Sequence, residues 1–139
     1  MKFDTGTELP DNFVLTKEFS DVYNLINDTN VNLFITGKAG SGKSTLLEYF
    51  RQNTNKNFVT LAFQGITAIK AKGQTLHSFF KFGPHFLAKE EIKLLKDKSL
   101  IQSLDTILID EISMVRADLF DAIDLSLKKN RKEHNFFLN

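Results

Sequence analysis

At 139 residues the chain has the length of one ordinary domain, and its 42% apolar and 25% charged residues are those of a soluble globular protein. A formal charge of +1 gives no global attraction to nucleic acid or membrane, so any such partner must be met by a local patch. The absence of cysteine excludes disulfides, thiolate zinc sites and thiol nucleophiles. The opening "MKFDTGTELPDNF" is acidic and lacks the apolar core of a secretory signal, and no run of about 18 apolar residues appears. A cytoplasmic protein without a membrane partner is the expectation.

Residues 1–15 read as an extended lead-in, with Gly6 and Pro10 as breakers. Thr16 is a candidate N-cap, and Phe19, Val22, Tyr23 and Ile26 follow the spacing of an amphipathic helix. "NDTN" at 27–30 ends it, and "VNLFIT" at 31–36 predicts a buried strand. A glycine-rich turn leads into a helix over 43–52, with Leu46, Leu47 and Phe50 on one side. "NFVTLAF" at 57–63 predicts a second strand, and 65–72 and 75–81 predict short helices separated by Gly73. Gly83 and Pro84 break the chain before "AKEEIKLLKDK" at 88–98, which predicts a charged surface helix with Ile92 and Leu95 facing in. "DTILIDE" at 105–111 predicts a third strand. A last helix over 116–129 would bury Leu119, Ala122, Ile123 and Leu127. Strands alternating with helices imply a parallel α/β sheet with flanking helices, here a thin one.

The turn Gly37-Lys38-Ala39-Gly40-Ser41-Gly42-Lys43-Ser44, followed by Thr45, matches G-x-x-x-x-G-K-[ST] in full. Glycines let the backbone curl so that successive N–H groups point at phosphate oxygens. The helix starting near Lys43 adds the positive end of its dipole. Lys43 can reach the β and γ phosphates, and the Ser44 hydroxyl can take a place on Mg2+. The motif sits between a predicted strand and a predicted helix, the context it requires, so this stretch reads as a nucleotide site.

"ILIDE" puts Asp110 and Glu111 at the C-terminal end of a predicted strand, where open α/β sheets place their ligands. Asp110 would hold Mg2+ together with Ser44, and Glu111 would orient or activate the attacking water. An acidic pair after a strand is otherwise only a helix start decorated with carboxylates. A phosphate loop about 70 residues upstream favours the functional meaning. A small-molecule kinase would also carry a phosphate loop, so the two motifs stop at hydrolysis of, or transfer from, a nucleoside triphosphate.

The segment "LAFQGITAIKAKGQTLHSFFKFGP" at 61–84 interleaves Thr67, Lys70, Lys72, Thr75, His77, Ser78 and Lys81 with Phe79, Phe80 and Phe82. Hydroxyls and lysines suit a phosphate backbone, and aromatics or His suit stacking on unpaired bases. From pattern alone, aromatics at helical spacing more often pack in a core.

"FITGKAGSGKST", "GITAI…GQTLHSFFKFGP" and "LIDEISMVRADLFDAID" together resemble the bacterial helicases of the petite-integration-frequency type. These are superfamily 1 enzymes that run 5′ to 3′ on DNA and are relatives of RecD-like helicases. The resemblance covers about 16–130, with the three blocks in the family order. It implies the first part of a RecA-like P-loop ATPase domain over 16–130, from Walker A to the Walker B helix, between the lead-in and a tail at 131–139. It implies ATP and Mg2+ at Lys43 and Ser44, and Asp110 and Glu111 as the Walker B pair. Gly65, Thr75, His77 and Ser78 would lie in segments facing single-stranded DNA.

The sequence departs from the family pattern at three places. Residues 1–36 hold no Gln to read adenine, and Ser20 stands near its expected place. The family's A-P-T-G is here Ala62-Phe63-Gln64-Gly65, so Gln64 stands where a Thr contacts the DNA backbone. Family members also continue for several hundred residues, to a G-D-x-x-Q type motif and a second RecA-like domain with the arginine finger. The resemblance places the strand between the Walker A and Walker B strands in that later part, which makes an incomplete sheet the expectation. The basic end Lys128, Lys129, Arg131 and Lys132 reads as a solvated helix end, followed by Phe136, Phe137 and Leu138 without partners. Three readings follow: the ATP-binding segment of a 5′-to-3′ DNA helicase, a truncated module that binds nucleotide or single-stranded DNA with little turnover, and an unrelated P-loop kinase.

Overall fold

The spacing of Phe19, Val22, Tyr23 and Ile26 does produce a helix, α1 (Lys17–Asp28), with Thr16 as its N-cap. The Thr16 hydroxyl accepts from the Phe19 N–H at 3.2 Å, which satisfies one of the amides a helix start leaves free. The structure is a computed structural model that describes residues 9, 12–38, 42–83, 92 and 94–131. It divides into two compact units, Met1–Lys56 and Asn57–Asn139.

In the first unit, aromatic rings join α1 to α2 (Lys43–Asn53). Tyr49 of α2 meets Tyr23 at 5.0 Å and Phe19 at 5.5 Å between ring centroids, both edge to face, the arrangement the ring quadrupoles favour. Burial pushes the Tyr23 phenol above its ordinary pKa, helped by the neighbouring Tyr49 and Asp28. Leu46 and Phe50 are buried as the sequence predicts, and Leu47 is half-buried. The Lys56 ammonium donates to the carbonyls of Ile26 at 2.7 Å and Thr29 at 2.6 Å. That places a cation on the negative end of α1.

Residues 31–36 are not a strand. They join no sheet, and Val31, Leu33, Phe34 and Ile35 are exposed, Phe34 by 75%. A strand exists only through the ladder that satisfies its backbone, so apolar β-branched composition without a pairing neighbour leaves extended chain.

The second unit is built on a three-stranded parallel sheet of order β2-β1-β3. Its strands are β1 (Phe58–Ala62), β2 (Gln74–Thr75) and β3 (Thr106–Asp110). Three strands were expected, and among the described residues three are present, but the short β2 was not predicted and 31–36 is not among them. Between β1 and β2 lies α3 (Gly65–Lys70), shorter than predicted because Lys72 turns left-handed at φ 57°. After β2 comes α4 (Leu76–Phe80), ended by Lys81 at φ 59°. Gly73 passes so close to β1 that a Cβ there would lie 1.9 Å from the Thr60 carbonyl oxygen. Glycine is required there by close approach.

The aromatics of α4 go inward. Phe79 and Phe80 are buried with Leu61, Leu76, Ile101 and Ile123, and Phe82 packs against that cluster, so here the core reading of the phenylalanines holds. The last helix, α6 (Ala117–Arg131), buries Leu119, Ala122, Ile123 and Leu127 as expected.

The predicted helix at 88–98 is corrected for its described part. Residues 84–91 and 93 lie outside the described residues, and 94–98 are irregular; a helix, α5 (Ser99–Ser103), follows them. The cause is α6. The fully buried Asn130 accepts from the Leu95 N–H at 2.8 Å, and Lys129 donates to the Ile92 carbonyl at 2.9 Å. Backbone groups that a helix would pair internally are taken by these side chains. Asp97 accepts from the Ser99 N–H and hydroxyl just before α5, and these bonds hold its carboxyl below the ordinary range. Ile92 is buried and Leu95 partly buried, so the inward-facing pair is right although the helix is not.

The same contacts revise the basic end. Arg131 donates to the carbonyls of Ile101 at 2.7 Å and Leu104 at 2.6 Å, and Lys128 pairs with Asp124 at 2.7 Å. Arg131 thus fastens α6 to its neighbours and Lys128 pairs within α6, while Lys132, Phe136, Phe137 and Leu138 lie outside the described residues. Among the described residues no helix is long and apolar enough to cross a membrane.

Two substitutions test this packing. Gly73→Ala should lower the urea-unfolding free energy by about 1–3 kcal/mol, because Thr60 backbone has to move. Asn130→Leu should cost about 1–3 kcal/mol by leaving the Leu95 amide unpaired, with hydrogen exchange accelerated at 94–104 before the sheet is affected.

Candidate functional site

The phosphate-loop stretch lies in the first unit. Gly42 adopts φ 96°, a left-handed conformation that costs an L-residue energy, and serves as the N-cap of α2 without a side chain to occupy the first amides. Helix α2 therefore begins at Lys43 with its positive end open toward the loop. The Lys43 ammonium donates to the Gly37 carbonyl at 2.6 Å. This bond ties the first residue of α2 back to the residue that opens the motif. Lys38, Lys43 and Ser44 are exposed and Thr45 is half-buried; Ala39, Gly40 and Ser41 lie outside the described residues.

The acidic strand end lies in the second unit. β3 stops at Asp110, and Glu111 turns to φ 54° before a 3-10 helix over Ile112–Met114. One Asp110 carboxylate oxygen accepts from the Glu111 N–H at 2.9 Å. That bond fixes the aspartate and leaves its other oxygen available. Asp110 is half-buried and Glu111 exposed. Turning left-handed at Glu111 breaks the strand's alternation, so two successive carboxylates need not point to opposite faces.

The parallel register determines what stands beside them. Ala62 of β1 pairs with Thr75 of β2 on one side and with Asp110 of β3 on the other. Thr75, Ala62 and Asp110 thus form one row across the C-terminal edge of the sheet. At the usual inter-strand spacing, Thr75 and Asp110 lie about 10 Å apart. Gln64 and Gly65, both exposed, follow immediately from β1, while His77 and the exposed Ser78 follow from β2. Five residues nominated from the middle segment and both acidic residues therefore gather at one end of one sheet.

Their chemistry there is specific. The Thr75 hydroxyl accepts from the Ser78 N–H at 3.2 Å and caps α4, so its own O–H stays free to donate. The His77 ring stands edge-on to Phe63 at 5.7 Å, half-buried. Sequence reasoning missed this ring contact, the Thr75 cap, the left-handed Glu111 and the bond from Lys43 to Gly37. Only the cap had a signal, a threonine at the start of a predicted helix.

A glycine-rich loop opening a helix, with a parallel sheet whose strand ends in an acidic pair, defines a P-loop nucleoside-triphosphatase type of α/β protein. Residues 14–137 match the family model described as PIF1-like helicase, and the chain belongs to the PIF1-like helicase family. It is 35% identical over 114 residues to the ATP-dependent DNA helicase Pif1 of Campylobacter jejuni, covering 72% of this chain and 25% of that protein. It is 32% identical over 137 residues to the ATP-dependent DNA helicase PIF1 of Saccharomyces cerevisiae, covering 88% of this chain and 15% of that one. The solved structure of Bacteroides Pif1 helicase in complex with ADP-AlF3 and ssDNA matches with a TM-score of 0.79 at 38% identity, over 89% of this chain and 30% of that chain. The chain thus spans a quarter or less of these two curated relatives.

The left-handed Glu111 yields a stability test. Glu111→Gly should be more stable than Glu111→Gln in urea unfolding by up to about 1 kcal/mol, since glycine relieves the positive φ but gains unfolded-chain freedom. Equal or lower stability of the glycine variant would contradict the strained turn.

Proposed function

We propose that the chain is the ATP-binding segment of an ATP-dependent DNA helicase that moves 5′ to 3′ on single-stranded DNA. The observation that carries this reading is the phosphate loop opening α2 in a chain of the PIF1-like helicase family. Family membership also sets aside the unrelated kinase. In this reading the backbone of Gly37, Lys38, Ala39, Gly40, Ser41 and Gly42, continued by Lys43, Ser44 and Thr45, surrounds the phosphates. Lys43 exchanges the Gly37 carbonyl for phosphate oxygens, a swap that costs one hydrogen bond and gains charge pairing.

Mg2+ fits the available donors, because it keeps several waters and needs only one or two protein oxygens besides the triphosphate. In this reading the first unit offers the exposed Ser44 hydroxyl to the ion, and the second offers the Asp110 oxygen not engaged by Glu111. When bound, the ion neutralises charge on the β and γ phosphates. Glu111 orients the attacking water and accepts its proton. Gln64, Gly65, Thr75, His77 and Ser78 offer neutral donors and one ring to single-stranded DNA.

A second reading, a nucleotide- and DNA-binding module with little turnover, is favoured by one observation. The residues leading into the phosphate loop, 31–36, join no sheet. An anchored loop and an arginine finger would both be needed for speed, the latter being worth about 10³–10⁵ in rate where measured.

Lys43→Ala should abolish any ATP turnover, followed by phosphate release, and should remove ATP binding measured by calorimetry. An unchanged rate or affinity would rule out the assigned loop. Binding to oligo-dT should weaken between about 50 and 200 mM salt as phosphate contacts are screened. Salt-independent or absent binding would contradict the DNA assignment.

A further inference from the structure

Gln64 differs from the other residues gathered at the strand ends in what its side chain has left to give. It is exposed and stands directly before α3, yet its carboxamide makes no cap bond to that helix and pairs with no other group among the described residues. Its neighbours are engaged or lack the chemistry. The Thr75 hydroxyl holds the Ser78 N–H at 3.2 Å, and the Ser78 hydroxyl lies 3.5 Å from the side-chain oxygen of Gln74. Gly65 has no side chain, and the donor and acceptor of the His77 imidazole sit on separate ring nitrogens that face apart. Among the residues nominated for DNA, Gln64 alone offers a free donor and a free acceptor side by side.

That pair suits a base better than a phosphate. Phosphate oxygens only accept, so a carboxamide placed there uses its NH2 and turns its own oxygen toward like charge. A base edge sets a donor beside an acceptor, and adenine matches glutamine through N6 and N7. The approach is open. A Cβ on Gly65 would meet nothing within 4 Å, and Ile66, next in the first turn of α3, is 64% exposed and gives the face of a base an apolar surface to lie on. We infer that Gln64 is a base-reading residue, its carboxamide pairing bidentately with N6 and N7 of an adenine in the bound strand. This rests on the reading of this sheet end as the face for single-stranded DNA, and it gives that face a base preference that phosphate contacts alone do not produce.

Oligo-dA and oligo-7-deaza-dA of equal length carry the same phosphates and stack alike, and they differ at N7. Fluorescence anisotropy with the full chain should show oligo-dA bound at least about five-fold tighter. Gln64→Leu, checked for folding by circular dichroism, should bring the two affinities together. Gln64→Glu, which keeps the shape but loses the N–H donors, should do the same. Thr75→Ala should weaken both oligonucleotides by one factor and keep their ratio. Equal affinities in the parent chain, with binding still screened by salt, overturn the inference while the DNA face stands. A ratio that survives both Gln64 substitutions also overturns it, since another group then reads N7. Absence of binding to either oligonucleotide removes the DNA reading itself, and the inference with it.

Discussion

Five parallel residue pairs between Phe58–Ala62 and Thr106–Asp110 hold together sequence that is nearly fifty residues apart. The second unit is organised around that ladder. It brings the amide of Asn57 to the Asp105 carboxylate at 2.9 Å, which locks the entrance of both strands. It also sets Ala62 opposite Asp110, so the turn into α3 and the acidic strand end finish at the same level. A shift of one residue would turn Ile107 and Ile109 toward the opposite face and separate Gln64 from the carboxylates. The row of Thr75, Ala62 and Asp110 is thus a consequence of register.

Register in turn depends on packing that lies behind the sheet. Ile123 and Leu127 of α6 are fully buried in the cluster with Leu61 and Leu76. The C-terminal turn of α6 then holds 92–104 through Asn130, Lys129 and Arg131, each bonded to main-chain carbonyls or amides of that stretch. Buried or half-buried polar bonds of this kind add direction to an apolar core that has little of its own. They explain why a lysine- and arginine-rich helix end is structural here.

Much of this was legible in the sequence because it rests on local chemistry. The Thr16 cap, the buried face of α6 and the strand at 58–62 all follow from residues within a few positions of one another. The phosphate-loop motif is local too, and Gly42 takes the left-handed conformation its position calls for. What could not be read depends on distant partners. Residues 31–36 have strand composition but no ladder, and the stretch at 94–98 loses its helix to the side chains of residues about 35 positions later. Gly73 looks like a separator between helices, yet its role is the approach to Thr60. The left-handed Glu111 had no sequence signal, because nothing about glutamate announces a positive φ.

The central proposal is that one end of the sheet, carrying Gln64, Gly65, Thr75, His77 and Ser78 beside Asp110, would meet single-stranded DNA. Photocrosslinking of an oligo-dT containing 4-thiothymidine, with the attached peptides mapped by mass spectrometry, tests it most directly. The account predicts crosslinks concentrated in residues 63–78, diminished when Thr75 and His77 are replaced by alanine. Crosslinks confined to other segments, such as 94–104 or α6, and indifferent to those substitutions, would contradict it.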